Sequence, residues 1–261
     1  MTSDGPSDKP DKELRKLQRQ LKVQERRAGQ LEEFVQTKEN LLKGLMTELD
    51  EEKKKSESLL RNILPEPIIQ RLNDGETVIA DRHDEVSVVF SDFEGFTAIS
   101  SRMDPTTLVE SLNSIFSRFD ALSQELGVEK IKTIGDAYLA VAGVPSERPD
   151  HAAAIADMAL GMLQALGDAN QSLDVPFRIR IGVATGPVVT GIIGTHKFVY
   201  DVWGDTVNLA SRLETTSEPD RIQISQATAE ALGDAFAIEE RGEVELKGKG
   251  LVSTFFLNGR S

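Results

Sequence analysis

The sequence has 261 residues, is 39% hydrophobic and 28% charged, and carries a formal net charge of −13; that fits a globular chain with one catalytic-sized domain plus a substantial extra element, and disfavours nonspecific attraction to nucleic acid or anionic lipid. It contains no cysteine, so disulfides, thiolate zinc sites and cysteine nucleophiles are excluded together, and a reducing, cytoplasmic setting is favoured. The polar start, Met1 to Asp11, lacks the apolar core of a signal peptide, and no stretch approaches the roughly 20 apolar residues of a membrane span. The chain as given therefore reads as soluble, and it fits equally the cytoplasmic part of a longer membrane-bound protein.

From Leu14 to Leu59 the sequence is charged, almost free of aromatics and free of proline, which predicts one long helix. Heptads laid from Leu14 put Leu14, Leu21, Ala28, Val35, Leu42, Leu49 and Ser56 at one seam position, and Leu17, Gln24, Leu31, Lys38, Leu45, Glu52 and Leu59 at the other. Ten of these fourteen are apolar, a pattern sustained over about six heptads that argues for a parallel coiled coil. Gly29, Gly44 and the polar seam residues weaken the coil, which suits a signal-transmitting helix and a plain dimerisation strap equally. Pro65 and Pro67 end it near Ile63-Leu64. A short helix over Ile68 to Leu72 then closes at Asn73-Asp-Gly75.

Beyond this joint, Glu85 to Ser91 reads as a buried strand and Pro105 to Leu126 as a helix opened by Asp104-Pro105. Lys130 to Thr133 and Ala137 to Ala142 read as strands around a tight Ile134-Gly-Asp136 turn. A helix follows over Pro149 to Gln171, then a second hairpin, Phe177 to Thr185 and Val188 to Ile193, about Gly186-Pro187. A helix over Thr206 to Thr215, a strand at Ile222 to Ile224, a short helix and a last strand pair around Lys247-Gly-Lys-Gly250 complete the chain. Interleaved helices and hairpins indicate an α+β fold, with helices covering a mostly antiparallel sheet.

Asp92 follows the first strand directly and precedes a Gly-containing turn into a helix, a setting that can hold a hard cation while the helix N–H groups cradle phosphate; it serves equally as a helix N-cap. Asp136 is either a metal ligand or ordinary turn chemistry. Asn208 and Arg212, four apart, project from one face of a predicted helix and, taken alone, form a surface polar pair. His83, His151 and His196 lack metal-like spacing and read as surface or loop residues, and Tyr200 and Trp203 as core packing around Asp201.

Four motifs in order, Val88-Val-Phe-Ser-Asp-Phe-Glu-Gly-Phe-Thr97, Glu129-Lys-Ile-Lys-Thr-Ile-Gly-Asp-Ala-Tyr138, Arg180-Ile-Gly-Val-Ala-Thr-Gly-Pro187 and Tyr200-Asp-Val-Trp-Gly-Asp-Thr-Val-Asn-Leu-Ala-Ser-Arg212, resemble the class III adenylyl and guanylyl cyclase catalytic domain. Lys247-Gly-Lys-Gly250 fits its C-terminal hairpin, and Leu60-Arg-Asn-Ile-Leu-Pro-Glu-Pro67 looks like the transducer that precedes such domains. The resemblance covers about residues 62 to 258. It implies a ferredoxin-like βαββαβ core, and a partition into a disordered N-terminus (1–12), a coiled-coil helix (13–61), a transducer and linker (62–84) and a cyclase domain (85–258).

The resemblance further implies that Asp92, Asp136 and the Phe93 carbonyl hold two divalent metal ions, Mg²⁺ or Mn²⁺, and that N–H groups of Gly95, Phe96 and Thr97 hold the β- and γ-phosphates. One ion would activate the ribose 3′-hydroxyl and the other would stabilise the leaving pyrophosphate. Lys132 and Asp201 match the base-reading positions: a lysine donates to adenine N1 and an aspartate accepts from the 6-amino group, whereas guanine presents both with the wrong sign. ATP is therefore the expected substrate and 3′,5′-cyclic AMP the product, with a guanylate cyclase on the same scaffold and an inactive dimerisation or nucleotide-sensing module as the alternatives. Asn208 would orient the ribose, Arg212 would stabilise charge on the α-phosphoryl group, and Lys247, in preference to Lys249, would contact the terminal phosphates. Phe93 and Glu94 depart from the family pattern, where Ile and a small apolar residue are more usual.

A strand advances about 3.3 Å per residue, so Lys132 and Asp136 lie roughly 13 Å apart along one hairpin. The family solves this span by pairing chains, metal-bearing aspartates from one subunit and base, ribose and transition-state residues from the other. Both sets on one chain imply a homodimer with two equivalent sites. A small rotation at the Pro65-Pro67 joint would then alter how half-sites meet. An upstream sensor domain or a membrane receptor is compatible with the pattern; a nucleic-acid partner is not expected.

Overall fold

The computed structural model describes residues 8–61, 63–173, 175–194 and 198–261. It divides into two compact units, Met1–Asn62 and Ile63–Ser261. The first is a single helix, α1 (Asp8–Arg61). Residues 8–12, expected within a disordered N-terminus, are part of this helix, and residues 1–7 lie outside those described. The seam leucines Leu14, Leu17, Leu21, Leu31, Leu42, Leu45, Leu49 and Leu59 are all exposed on it. The pair Lys54–Asp50, at 2.7 Å, bridges successive turns of its polar surface.

The second unit begins with α2 (Glu66–Asn73), in which Pro65 stands at the N-cap and Pro67 in the first turn, where no amide donor is needed. There follow β1 (Ala80–Phe93), the single-turn α3 (Phe96–Ser100), α4 (Pro105–Leu126), β2 (Glu129–Ile134), β3 (Ala137–Ala142), α5 (His151–Asn170), β4 (Ile179–Ile193), β5 (Val199–Trp203), α6 (Asp205–Thr216), β6 (Ile222–Ser225), α7 (Gln226–Leu232), β7 (Phe236–Leu246) and β8 (Gly250–Arg260). The Asp104 carboxylate caps α4 by accepting from the N–H groups of Thr106 and Thr107, and left-handed Gly127 ends it.

The strands form one sheet in the order β2-β3-β1-β4-β6-β8-β7, with β5 paired to β4. Every pairing is antiparallel except β4 with β6. Its first four strands, in the order 2-3-1-4 with α4 and α5 as crossovers, make the expected βαββαβ core. One sheet face packs Val89, Phe93, Ile181 and Val183 against α4 and α5. The other packs Val86, Val88 and Ala184 against Ala210 and Leu213 of α6. A third, smaller cluster joins Leu64, Ile68 and Ile69 of the α2 segment to Ile79 and Tyr200.

Three expectations are corrected. The second hairpin does not exist: β4 is one strand of 15 residues that runs through Gly186-Pro187 while staying paired to β1. A β1 irregularity between His83 and Val86 lies opposite Gly186 and Pro187, so the chain bends there without reversing and proline's missing donor falls at a break in the ladder. His83 and His151 are not surface residues; each is 7% exposed, His83 Nε2 lying 3.1 Å from Thr190 Oγ1 and His151 Nδ1 3.0 Å from Ser87 Oγ. His196 lies outside the described residues. Tyr200 is buried as expected, but Trp203 is 37% exposed and packs no core around Asp201.

Candidate active site

Asp92 is the penultimate residue of β1, and the register surrounds it with chemistry. Its direct partner across to β4 is Arg180. On the other side Ser91 pairs with Tyr138, which brings the tip of the β2–β3 hairpin, and Asp136 with it, alongside Asp92. Gly135 supplies the positive φ of that tip, 65°. Asp92 and Asp136 are both half-buried. The Arg180 guanidinium lies 3.6 Å from the Asp92 carboxylate and donates through Nε to Glu214 at 3.0 Å.

Burial, the hydrogen-bonding and charge of Asp136, and the charge of Glu214 together push the Asp92 carboxyl up to about 7, with Arg180 opposing them. Glu214, 3% exposed, is also pushed up, mainly by burial, with Arg180 again opposing. Two carboxylates pressed together in a half-buried site, with a buried third nearby, are under-neutralised by one arginine. A divalent cation would relieve that excess, so the donor set fits a hard metal ion. Among the described residues no cluster of three or more His, Cys, Asp or Glu side chains has metal-binding geometry; a site here would be completed by main-chain or substrate oxygens. The Phe93 ring is committed to the core, stacked 5.9 Å from Phe116 and tilted 5.2 Å from Phe177, so any contribution of Phe93 falls to its carbonyl.

Gly95 adopts φ 64° as the N-cap of α3. The N–H groups of Ala98 and Ile99 bond back to its carbonyl, which leaves those of Phe96 and Thr97 as the orphan donors of the helix start. These donors follow directly on the carboxylate pair in the chain.

The second group of residues is assembled by β2 and β5. Lys132 Nζ and Asp201 Oδ2 are 2.5 Å apart, and Asp201 Oδ1 accepts from its neighbour Val202 N–H at 2.9 Å. The lysine thus keeps two further donors, and the aspartate is held by its own strand. Asn208 is exposed and Arg212 half-buried on α6. The Arg212 guanidinium lies beside the β7–β8 turn, 3.8 Å from where a Cβ on Gly248 would stand. In that turn Lys249 is tied to Asp205 at 2.5 Å, while Lys247 is exposed and has no partner among the described residues. This asymmetry favours Lys247 as the side chain available to an anionic ligand.

The fold therefore brings Asp92 to Asp136, Lys132 to Asp201, and Arg212 to the Lys247 turn. Arg180 and Glu214 were missed in the sequence. Arg180 stands at the head of a recognisable motif, but its position opposite Asp92 follows from strand register, and Glu214 shows itself only through burial under the sheet.

Residues 78–259 match the family model of the adenylate and guanylate cyclase catalytic domain. An adenylate cyclase of Mycobacterium tuberculosis is 46% identical over 213 residues, covering 81% of this chain and 48% of the relative. Guanylate cyclase D of Mus musculus is 41% identical over 236 residues, covering 88% of this chain and 21% of the relative. The chain thus spans about half the length of the mycobacterial relative and about a fifth of the mouse one. Among solved structures, the guanylate cyclase domain of RhGC from Catenaria anguillulae in complex with GTP aligns at TM-score 0.65 and 36% identity, covering 69% of this chain and all of that one. The adenylyl cyclase CyaB from P. aeruginosa aligns at TM-score 0.65 and 28% identity, covering 69% of this chain and 96% of that one. Solved cyclase domains named for both nucleotides thus share the fold, and the chain belongs to the family of adenylate and guanylate cyclase catalytic domains.

Proposed function

We propose that this protein is an adenylate cyclase that converts ATP to 3′,5′-cyclic AMP and pyrophosphate at the interface of a homodimer. The observation that carries the choice of base is the Lys132–Asp201 pair. It offers a donor to adenine N1 and an acceptor to the 6-amino group, and it meets guanine O6 and N1–H with neither in the right place. Unpaired buried polar groups make such discrimination large, on the order of 10⁴-fold at best.

In this reading the ribose 3′-oxygen attacks the α-phosphorus in line, the bond from that phosphorus to the bridging oxygen breaks, and pyrophosphate leaves as the 3′-hydroxyl proton is lost. Two divalent ions, Mg²⁺ or Mn²⁺, held by Asp92, Asp136 and the Phe93 carbonyl, would supply the charge that lowers the pKa of the hydroxyl and stabilises the leaving group. The N–H groups of Gly95, Phe96 and Thr97 hold the β- and γ-phosphates, and Lys247 contacts them from the β7–β8 turn. Asn208 orients the ribose. Arg212, always charged and planar, stabilises the charge that builds on the α-phosphoryl group.

The homodimer follows from one chain carrying both residue sets, and the exposed leucine seam of α1 supplies a parallel strap for it. The domain organisation is read accordingly as a coiled-coil helix, a transducer at the Pro65-Pro67 joint and a cyclase domain. The test is product analysis with ATP and with GTP, under Mg²⁺ and under Mn²⁺, on the wild type, on Asp92→Ala and on the double variant Lys132→Glu, Asp201→Cys. Cyclic AMP from ATP is expected from the wild type, no product from Asp92→Ala, and a gain in GTP turnover from the double variant. Retained cyclisation by Asp92→Ala would sink the catalytic assignment, and an unchanged ATP-to-GTP ratio in the double variant would sink the assignment of the base.

A further inference from the structure

The small cluster beneath α2 touches the chain at two places that matter for recognition. Leu64, Ile68, Ile69 and Ile79 pack with Tyr200, and Ile131 flanks the same cluster. Tyr200 immediately precedes Asp201, and Ile131 immediately precedes Lys132. The β2–β3 ladder pairs Lys130 with Ala140 and Lys132 with Leu139, so Ile131 is the extra residue of a bulge. At a bulge the ladder does not fix where the next side chain aims. The aim of Lys132 is therefore set by how Ile131 is seated, and that seat is shared with α2.

Asp201 is tied to the same region from behind. It pairs with Gly191 on β4, and Gly191 lies so close to the Ile79 carbonyl that a Cβ there would come within 2.6 Å of it. Ile79 also accepts the N–H of Ile192 at 3.1 Å. The far end of α2 is anchored by Arg71, which pairs with Glu76 at 2.6 Å and with Asp81 at the start of β1. No side chain of the Asp92 group belongs to this cluster. By chain order, any change carried along the N-terminal helix enters the second unit through the residues that build it.

We infer that the seating of α2 sets recognition of the nucleotide base, with Ile131 and Tyr200 as positioning residues for Lys132 and Asp201. This rests on the base-reading role proposed above and deepens it: shifting α2 alters which base is preferred, and leaves phosphoryl transfer at Asp92 and Asp136 largely as it was.

The experiment uses the full-length chain and measures kcat and KM with ATP and with purine riboside 5′-triphosphate, which lacks the 6-amino group and so cannot use Asp201. The variants are Ile69→Ala and Ile131→Val, with Ile69→Val as the milder change should Ile69→Ala fail to fold. Ile115→Val, in the core on the other side of the sheet, controls for general loosening, and Asp201→Ala, which removes the acceptor, tests the base reading itself. The expected result is a fall of about threefold or more in the ATP preference of the Ile69 and Ile131 variants, through KM, with kcat changed less than about twofold and Ile115→Val keeping the wild-type preference. A fall in kcat with the preference unchanged, or an equal shift in Ile115→Val, would overturn the proposal. Should Asp201→Ala keep the wild-type preference, the base reading falls and the proposal with it; a shift in Asp201→Ala with none in the α2 and Ile131 variants overturns the proposal alone.

Discussion

Glu129 opens β2 at the edge of the sheet with its carboxyl largely withdrawn from water, and burial alone pushes it up to about 7 from an ordinary value of 4.5. A carboxyl whose pKa is raised by folding binds more protons in the native than in the unfolded state between those two values, so stability falls as pH rises through that window. Below pH 4.5 both states are protonated and the effect vanishes; above pH 7 both are ionised and the penalty is complete. Glu129→Gln removes the charge at every pH. It is expected to raise the free energy of unfolding by about 2–3 kcal/mol at pH 8 and by less than about 1 kcal/mol at pH 5, measured by urea unfolding at the two values. An equal effect at both would mean that the side chain acts through packing and not through its charge.

At the scale of elements, the site depends on how closely α6 lies on β4. A Cβ added to Gly182 would meet the Ala210 carbonyl oxygen and the Glu214 nitrogen, each at 2.2 Å. These are backbone atoms that cannot turn aside, so the helix itself must move, and it carries Asn208, Arg212 and Glu214. Gly182→Ala is expected to destabilise the fold by about 3 kcal/mol and to lower kcat in the fraction that stays folded. Gly167→Ala provides the contrast. Gly167 is a helical glycine in α5 with open space around it, and alanine there should stabilise by about 0.5–1 kcal/mol. Urea midpoints and initial rates of the two variants check both signs, and a wild-type midpoint in Gly182→Ala would refute the close approach.

What the sequence disclosed about these elements follows from how local the signals are. Asp104-Pro105 at one end and Gly127 at the other delimit α4 without help from the rest of the chain, and the predicted span agrees with the observed Pro105–Leu126. Ala137 to Ala142 is likewise legible because it is bounded by a Gly-Asp turn on one side and Gly143 on the other. Gly186-Pro187 carries the same punctuation and misled the reading of β4, because only the irregularity in the partner strand tells a bend from a reversal. β5 was hidden for a different reason: its five residues, Val199–Trp203, pair with β4 but are too few to establish an alternating pattern of their own. The carboxylates and the base pair were named from motifs, whereas Arg180 and Glu214 came from register and burial, which only the folded sheet supplies.

At the scale of the whole molecule, the proposed site arrangement makes a quantitative claim about mixtures. If each site takes Asp92 and Asp136 from one chain and Lys132, Asp201, Asn208 and Arg212 from the other, Asp92→Ala and Arg212→Ala each inactivate both sites of their own homodimer. In a heterodimer of the two variants the lesions fall together: one site receives both, and the other receives intact carboxylates from the Arg212→Ala chain and an intact arginine from the Asp92→Ala chain. Random exchange at equal concentrations makes about half of all dimers heterodimers with one working site of two, so the mixture should recover about a quarter of wild-type activity from two inactive proteins. The strap proposed for the exposed leucine seam of α1 bears on how fast this happens: if that seam pairs as a coiled coil about six heptads long, it holds chains together against exchange. Recovery should therefore appear slowly after mixing and promptly when the two variants are refolded together from urea. Co-refolded material that stays inactive, while each variant alone is folded and dimeric by sedimentation, would show that Asp92 and Arg212 serve the same site from the same chain.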